Sequence, residues 1–352
     1  MNAELLGNDG PGQKKSGPVG VAVIGCGYWG PNLIRNFSTC EATRVLAVCD
    51  RDRRRLQGVS ASCPQAQFTE NFDDILKNPK IDAVAIATPV STHAALSLAA
   101  MEAGKDVLVE KPLADNIRDA ERLVSRAREL GRILMVDHTY VYSPAIRKIK
   151  ELVDSGNLGE IYYIDSVRIN LGQFQSDINV LWDLAPHDLS IVDYLLGRLP
   201  RSLAAMGISH TTSDLEDVAY LNLDFGRSLM ATFHVNWLSP VKLRHTIIGA
   251  SSRSLIFNDL NHAEPIKIYD SGIQIDASSE VRYGILVSYR TGDVWSPNVP
   301  REEPLQNVVR HFADCIQTGK PPLTDGEAGL RIVRILEAAQ RSIKAQGGRI
   351  TL

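Results

Sequence analysis

Short apolar runs alternate with amphipathic stretches through the first 138 residues of the chain. Continuous apolar runs are typical of strands covered on both faces, and patterns of period 3.6 are typical of helices. The runs predict strands at Val19–Ile24, Arg44–Cys49, Ala83–Ala87, Asp106–Val109 and Ile133–Val136, with a weaker strand near Gln67–Phe68. The periodic stretches predict helices at Tyr28–Ser38, from Arg51, and at Asn71–Leu76, Thr92–Ala103 and Asp115–Leu130. This order predicts an α/β domain with a parallel, doubly wound sheet.

After residue 138 the pattern changes to alternation: Val167, Ile169 and Leu171 point one way, while Arg168 and Asn170 point the other. Strands are predicted at Ile161–Leu171, Arg201–Ser209, Val218–Phe225, Leu229–Trp237, Leu243–Ile248, Leu255–Phe257 and Ile266–Tyr269. Helices are predicted at Ser143–Ser155, Trp182–Leu196, Leu305–Gln317 and Gly326–Ala345. The second half is therefore expected to be α+β, around a large, open, mostly antiparallel sheet.

Local signals refine these boundaries. Pro186 predicts that its helix proper starts there, because proline suits a first helical turn. Thr324-x-x-Glu327 predicts a capping box before the last helix, and Asp224–Arg227 a hairpin turn. We predict a flexible leader over 1–18, a Rossmann domain over 19–138 and a second, substrate-binding domain over 139–352.

The composition narrows the function. The chain has 352 residues with 38 basic and 41 acidic side chains, a net charge of −3, so no general attraction to nucleic acid or anionic lipid is expected. It lacks an apolar run of about 20 residues and an apolar signal core, which predicts a cytoplasmic protein with no membrane segment. An odd number of cysteines without C-x-x-C spacing argues against disulfides and a cysteine zinc site, and Cys26 is interpreted as a small packed side chain. The five cysteines are Cys26, Cys40, Cys49, Cys63 and Cys315.

The glycine motif Gly25-Cys26-Gly27-Tyr28-Trp29-Gly30 follows the first predicted strand and opens a predicted helix. Gly25 permits a tight turn, Gly27 lets the backbone approach a pyrophosphate, and Gly30 lets helix and strand pack closely. Asp50 ends the next strand, 20 positions after Gly30, where a carboxylate accepts the ribose hydroxyls of NAD. The motif alone is weak evidence, but strand, helix and acid agree, so we predict dinucleotide binding.

Asp50 favours NAD over NADP, because a carboxylate repels the 2′-phosphate. Arg51, Arg53, Arg54 and Arg55 follow it, and an arginine could hold that phosphate. The run also fits a solvated helix face. NAD is therefore the predicted cofactor, and NADP stays an alternative.

Two more motifs follow the strands Ala83–Ala87 and Asp106–Val109, where open α/β sheets bind ligands. They are Thr88-Pro89-Val90-Ser91-Thr92-His93 and Glu110-Lys111-Pro112. A lysine at this edge can stabilise negative charge on a substrate oxygen, although an isolated Glu-Lys-Pro also fits a surface turn.

A fourth motif is Trp182-Asp183-Leu184-Ala185-Pro186-His187-Asp188. Asp183 and His187 share a helix face, so the histidine can take a hydroxyl proton while the carboxylate orients the ring or holds a second hydroxyl. A surface pair or half of a metal site are the alternatives. Because no third ligand is near in the sequence, we predict no metal.

Taken together, these motifs resemble the Gfo/Idh/MocA oxidoreductases over about residues 19 to 343. The match consists of the glycine motif, Thr88-Pro89 with His93, Ala103-Gly104-Lys105-Asp106-Val107 leading to Glu110-Lys111-Pro112, and Asp183-x-x-x-His187. The resemblance implies a nicotinamide cofactor and a sugar, inositol or sugar-nucleotide substrate. It also implies a homodimer or homotetramer, formed through the outer faces of the second-domain sheets, so that 139–352 is also the oligomerisation domain.

By this resemblance, Lys111, Asp183 and His187 are the catalytic residues. The expected cofactor contacts are Gly25, Gly27, Tyr28, Trp29, Gly30, Asp50, Arg51, Thr88, Pro89, His93, Glu110 and Lys111. The expected substrate contacts are Lys111, His138, Tyr140, Arg168, Asn170, Asp183 and His187. For Arg168 and Asn170 a structural role on the sheet face is an equal alternative, and the Lys111–Pro112 bond is expected to be cis.

One departure concerns Asp137-His138, where many relatives carry glycine or asparagine before the histidine. Ser143–Ile146 and Gly156–Ile161 are similar to the sugar-nucleotide branch, which oxidises a hexose 3-hydroxyl or reduces a 3-ketone. We therefore expect reversible hydride transfer between a sugar-type alcohol and NAD, with His187 taking the proton and Lys111 stabilising the oxyanion. Inositol or free-sugar dehydrogenation and a non-catalytic NAD-binding sensor are the alternatives.

Overall fold

The computed structural model describes residues 17–172, 174, 178–211, 215–226, 229–275 and 287–352. It divides into two compact units. The first comprises the described residues up to Asp137 together with Leu305–Leu330, and the second comprises His138–Pro304 and Arg331–Leu352. Apart from its last two residues, the predicted leader over 1–18 lies outside the described residues, as does Arg227 of the predicted hairpin turn.

The first unit is built on a six-stranded parallel sheet with the order β3-β2-β1-β4-β5-β6. Every residue of β1 and β4 is buried, as continuous apolar runs between two helical layers require. The predicted doubly wound sheet is confirmed. The strands are β1 Val19–Ile24, β2 Thr43–Cys49, β3 Gln67–Thr69, β4 Ala83–Ile86, β5 Asp106–Glu110 and β6 Leu134–Asp137.

Helix α5 of this unit begins and ends at signals that the sequence carries. Before α5, for example, Asn116 Oδ1 accepts a hydrogen bond from Asp119 N at 2.9 Å, and Gly131 ends the helix at a φ of +61°. The helices are α1 Gly30–Thr39, α2 Arg53–Val59, α3 Phe72–Lys77, α4 Val90–Glu102 and α5 Ile117–Leu130, with a short 3₁₀ turn at Ser60–Ser62.

A later part of the chain returns to the first unit. Helix α8, Pro304–Thr318, packs Phe312 edge-on against Phe37 of α1, with ring centroids 6.4 Å apart. Thr324 exchanges hydrogen bonds with Val136 of β6: Val136 N donates to its carbonyl, and its Oγ1 donates to the carbonyl of Val136. Residues 305–330 therefore lie in the first unit, whereas the sequence placed everything after 138 in the second domain.

The predicted capping box at Thr324 is wrong for the same reason. The hydroxyl of Thr324 is engaged with β6, and Asp325, the residue before helix α9 (Gly326–Lys344), accepts from Ala328 N at 2.9 Å. Glu327 forms an ion pair with Arg128 of α5 at 2.7 Å.

In its described residues, the second unit has a nine-stranded sheet with the order β16-β13-β12-β11-β7-β10-β9-β8-β17, and β14 pairs with β15 separately. All pairings are antiparallel except that of β7 with β10, so the predicted mostly antiparallel sheet is confirmed. The strands are β7 Ile161–Leu171, β8 Ser202–Ile208, β9 Val218–Asp224, β10 Met230–Asn236, β11 Leu238–Ala250, β12 Ser254–Asn258, β13 Ile266–Tyr269, β14 Gly272–Ile275, β15 Val287–Arg290, β16 Val294–Trp295 and β17 Ile350–Thr351.

The described part of the second unit also contains helices α6 Pro144–Asp154 and α7 Val180–Leu196, and a 3₁₀ turn at Thr139–Tyr142. Helix α7 begins six residues before Pro186, so the prediction that it starts at the proline is wrong. The reason is its cap: Asn179 Oδ1 accepts from Trp182 N at 3.0 Å, which fixes the first turn ahead of the proline.

Candidate functional site

The glycine turn between β1 and α1 has the geometry that its sequence predicts. A side chain at Gly25, whose φ is +95°, would place a Cβ 2.5 Å from Ala87 O, and one at Gly30 would lie 2.2 Å from Gly25 O. At Gly27 the nearest neighbour would be a guanidinium nitrogen of Arg55 at 3.8 Å. Two glycines are therefore required by packing, and the third leaves the backbone open to a ligand.

The first turn of α1 has no acidic side chain and no side-chain cap. A helix N-terminus with unsatisfied N–H groups attracts an anion, so this turn fits the pyrophosphate of a dinucleotide. Cys26 is 6% exposed, and burial, followed by nearby charges that include Asp50, raises the pKa of its thiol to about 12. The thiol therefore stays protonated and serves as packing.

Asp50 is tied to this turn by its carboxylate. Oδ2 accepts from Cys26 N at 2.6 Å, and Oδ1 accepts from Asp52 N at 2.8 Å. Arg55 approaches Oδ2 at 4.0 Å, while Arg51 is exposed. Of the arginines after Asp50, Arg55 is the one whose guanidinium lies beside both Asp50 and Gly27.

His93 connects the loops that follow β4 and β5. Its Nδ1 lies 2.9 Å from Pro112 O, and its Nε2 lies 2.9 Å from Thr88 O. The ring is 1% exposed, and burial lowers its pKa despite these two contacts. His93 was expected to contact the cofactor; in the structure its ring is buried between two backbone carbonyls, and the neutral ring donates a hydrogen bond to one of them. The bond between Lys111 and Pro112 is cis, as expected.

Glu110 and Asp137, at the ends of the neighbouring strands β5 and β6, lie side by side. Their Cα atoms are register partners, so both side chains leave the sheet on the same face. Asp137 is 1% exposed and also accepts from the indole nitrogen of Trp29 at 3.5 Å. The sequence marked Asp137 as a departure but gave no sign of this partner, because the two residues are 27 positions apart.

In the second unit, helix α7 presents Asp183 and His187 one turn apart. From Val180 to Val192 the partly exposed residues are Asp183, Leu184 and His187, and the others are buried. Trp237 donates from its indole nitrogen to Asp183 Oδ2 at 3.2 Å. Asp183, Leu184 and His187 therefore form a partly exposed stripe on an otherwise buried helix, and the indole of Trp237 fixes the carboxylate of Asp183.

Tyr140 lies edge-on to His187, with ring centroids 5.2 Å apart and an interplanar angle of 67°. Its hydroxyl donates to Asp259 Oδ2 at 2.9 Å and accepts from Arg168 at 3.0 Å and Arg244 at 3.1 Å. Three hydrogen bonds and a ring contact thus fix the phenol beside the imidazole. Asp259 and Arg244 were not predicted, because they are remote in sequence from every motif.

Arg168 is 3% exposed and forms a two-pronged ion pair with Asp188, at 2.7 and 2.8 Å. Burial opposes its charge, but Asp188 and Tyr140 raise its pKa above the ordinary value. The guanidinium N–H groups of Arg168 thus point into the protein, which agrees with a structural role for this residue rather than a substrate contact. His138, also expected to touch substrate, is 1% exposed, whereas Asn170 is partly exposed.

No group of three or more His, Cys, Asp or Glu side chains in the described part of the chain has the arrangement of a metal site. Among the described residues, no helix is long and apolar enough to cross a membrane.

The first unit has an unobstructed glycine turn at the carboxyl end of a parallel strand, and the second unit carries an acid and a histidine on one helix face. These two features are typical of NAD(P)-dependent oxidoreductases. Comparison with known proteins agrees. Residues 19–138 match the oxidoreductase family profile with an NAD-binding Rossmann fold, and residues 146–253 match the Gfo/Idh/MocA C-terminal domain. The chain belongs to the Gfo/Idh/MocA family of NAD(P)-dependent sugar and polyol dehydrogenases.

Three relatives show the range of this family. The scyllo-inositol 2-dehydrogenase (NAD⁺) of Bacillus subtilis is 25% identical over 328 residues, 89% of this chain and 91% of that protein. A UDP-N-acetylglucosamine 3-dehydrogenase structure from Acidithiobacillus ferrooxidans is 24% identical with a TM-score of 0.79, covering 93% of this chain and 97% of that one. A levoglucosan dehydrogenase solved with NADH and levoglucosan is 17% identical with a TM-score of 0.80, covering 95% and 99%.

Proposed function

We propose that this chain oxidises the 3-hydroxyl of a hexose in a sugar nucleotide with NAD, or reduces the matching 3-ketone. The observation that carries the proposal is the stripe of Asp183 and His187 on α7, with Trp237 bonded to the acid and Tyr140 packed against the imidazole. A histidine fixed in this way, and partly exposed, is suited to take a hydroxyl proton.

The glycine turn supports NAD as the cofactor. Gly27 leaves the backbone open, the N-terminus of α1 offers N–H groups to a pyrophosphate, and Asp50 lies where a ribose is held. Arg55, beside Asp50, is the residue that would admit NADP. When bound, the nicotinamide supplies the hydride acceptor, and the protein supplies position and charge.

The protein's own groups then have separate tasks. His187 removes the proton from the hydroxyl group, and the ammonium of Lys111 stabilises the oxygen as it becomes negative. Asp183 holds a second hydroxyl of the sugar. His93 acts on Lys111 indirectly, since it holds the carbonyl of the next residue, Pro112.

The substrate class is the finer part of the proposal. The segments Ser143–Ile146 and Gly156–Ile161 favour a sugar nucleotide, whereas the B. subtilis relative acts on scyllo-inositol. Inositol dehydrogenation is therefore the second candidate. A panel of UDP- and dTDP-hexoses, free hexoses and inositols, each with NAD⁺ or NADP⁺, separates the two by the absorbance of the reduced cofactor. A protein that reduces cofactor only with inositols contradicts the sugar-nucleotide proposal.

Lys111→Ala is expected to lower kcat by roughly 100-fold or more while NADH affinity stays within about threefold, because its charge acts on the substrate oxygen. Steady-state kinetics and NADH fluorescence titration measure the two effects. Lys77→Ala, an exposed lysine on α3, is the control and should match the wild type. A normal kcat for Lys111→Ala would show that the role assigned to this residue is wrong.

Gly27→Ala is expected to weaken NADH binding by roughly tenfold or more, since its Cβ would fill the space that the backbone leaves open. Gly58→Ala in α2, where an added Cβ meets no atom within 4 Å, is the matched control. Equal NADH affinity in both variants would contradict the assigned cofactor turn.

We also propose that copies of the chain associate through the face of the nine-stranded sheet that α7 leaves open. That face exposes large apolar side chains, with Met206 at 65%, Ile208 at 55%, and Tyr220 and Met230 at 51% each. Light scattering should give a dimer or tetramer, and Tyr220→Arg should shift it toward the monomer. A wild type that is monomeric at micromolar concentration contradicts this assembly.

A further inference from the structure

Two acidic side chains meet at the carboxyl edge of the first sheet, where β5 and β6 end. The Cα atoms of Glu110 and Asp137 are register partners, so the two side chains leave the sheet on the same face, and Asp137 is 1% exposed. Oε1 of Glu110 is buried and has no hydrogen-bonding partner among the residues that the structure describes. A hydrogen bond between two carboxyl groups requires a proton on one of them.

The neighbours of this pair connect it with the cofactor turn. Trp29, inside the glycine motif, donates to Asp137 at 3.5 Å, and the positively charged Lys111 follows Glu110 directly in the chain. His93 of helix α4 is buried, and the charges of Lys111 and Asp115 act on it. His138 follows Asp137 in the chain, and Trp29 is uncharged. Lys111 thus places a positive charge beside Glu110 in the chain.

Electrostatics decides how many protons the pair holds. Two neighbouring carboxylates, one of them 1% exposed, cannot both ionise without a large cost. In agreement with this argument, burial, together with Asp137, raises the pKa of Glu110 well above its ordinary 4.5.

We propose that Glu110 and Asp137 share one proton at neutral pH, and that the charge of the dinucleotide bound at the adjoining glycine turn decides how tightly they hold it. The second half of this inference rests on the proposed cofactor site. Oxidised nicotinamide carries a positive charge and reduced nicotinamide does not, so the oxidised form favours the doubly ionised pair. Conversely, raising the pH should strengthen NAD⁺ binding relative to NADH.

The shared proton is tested without any ligand. Infrared difference spectra of the full chain at pH 7.5, with and without ¹³C-labelled glutamate, should show the C=O stretch of an un-ionised carboxyl group. The band should disappear in Glu110→Gln and remain in Glu102→Gln, an exposed glutamate of the same unit. If Glu110→Gln does not fold, the isotope shift in the wild type still decides. A folded wild type without an un-ionised carboxyl band at pH 7.5 overturns the proposal.

The link to the cofactor is tested by binding. The ratio of NADH to NAD⁺ dissociation constants, measured between pH 5.5 and 9, should rise with pH in the wild type. The expected change is roughly 5- to 30-fold, the effect of one unit charge on another across about 8–15 Å at an effective dielectric constant of about 20. In Glu110→Gln, which cannot lose the proton, the ratio should be flat, and Glu102→Gln should follow the wild type.

These results separate the two proposals. If neither dinucleotide binds, the proposed function fails and with it the link to the cofactor, while the infrared band still decides whether the proton is shared. If both bind and the ratio changes with pH equally in the wild type and in Glu110→Gln, the cofactor site stands and the role of the acid pair is overturned.

Discussion

Each unit buries a cluster of charged side chains, and the two clusters solve the problem of desolvation differently. In the first unit, Glu110 and Asp137 are neighbours that would repel each other if both were ionised, and the proposed shared proton removes that repulsion. In the second, Arg168 meets Asp188 through two hydrogen bonds of 2.7 and 2.8 Å, so the charges cancel without a proton. The charge of the first cluster is therefore expected to change with pH, because the pKa of Glu110 is raised, while the second keeps its charges.

The consequence for the site follows the same division. The Arg168 cluster, with Tyr140 at its edge, is a fixed support beside His187. The acid pair lies beside Lys111 and Trp29 and responds to charge. Three substitutions test this comparison, from the largest expected effect to the smallest.

Asp188→Ala should lower the free energy of unfolding by about 3–5 kcal/mol, because it leaves the 3%-exposed Arg168 as an unpaired buried charge. Urea unfolding at pH 7 measures it. The control is Asp193→Ala, which breaks the more exposed pair with Arg331 and should cost less. A loss for Asp188→Ala no larger than the control's would show that the ion pair does not support this unit.

Glu110→Gln should become more stable relative to the wild type as the pH rises. A carboxyl whose pKa is raised by folding contributes stability that is complete below about pH 4.5 and is lost as the pH rises through its folded pKa. Glutamine does not ionise. The free energy of unfolding of the variant, relative to that of the wild type, should therefore grow by about 1.4 kcal/mol per pH unit between about pH 4.5 and the folded pKa of Glu110. Urea unfolding at pH 5.5 and 7.5 measures it. A difference that does not change with pH would mean that Glu110 ionises normally.

Tyr140→Phe should cost about 1 kcal/mol, because it removes a hydroxyl bonded to Asp259, Arg168 and Arg244 but leaves the ion pairs in place. The loss should be the same at pH 6 and pH 8, in contrast to that of Glu110→Gln. If the phenol positions His187, the same variant should also lower kcat/KM, and by more than its loss of stability explains. An unchanged pH–rate profile and normal kcat/KM would limit Tyr140 to a structural role.

Most of the fold could be predicted because its signals are local. Buried strands such as β1 and β4 are continuous apolar runs, and α5 ends at a glycine that adopts a positive φ. The failures involve contacts between distant segments. Thr324 looks like a helix cap until β6 binds its hydroxyl, and Pro186 looks like a helix start until Asn179 caps the helix earlier.

The candidate site divides in the same way. The glycine turn, Lys111, Asp183 and His187 belong to motifs of fixed spacing, and each could be picked from its neighbours in the chain. The burial of His93 and Arg168 could not be predicted from the sequence, because the residue type alone does not reveal whether its partners are carbonyls, acids or a ligand. The sequence by itself determined which chemical groups the protein carries and which strands and helices hold them, because backbone periodicity and turn geometry are local. The tertiary structure alone decided which of those groups are paired, since ion pairs and shared protons depend on residues that meet only after folding.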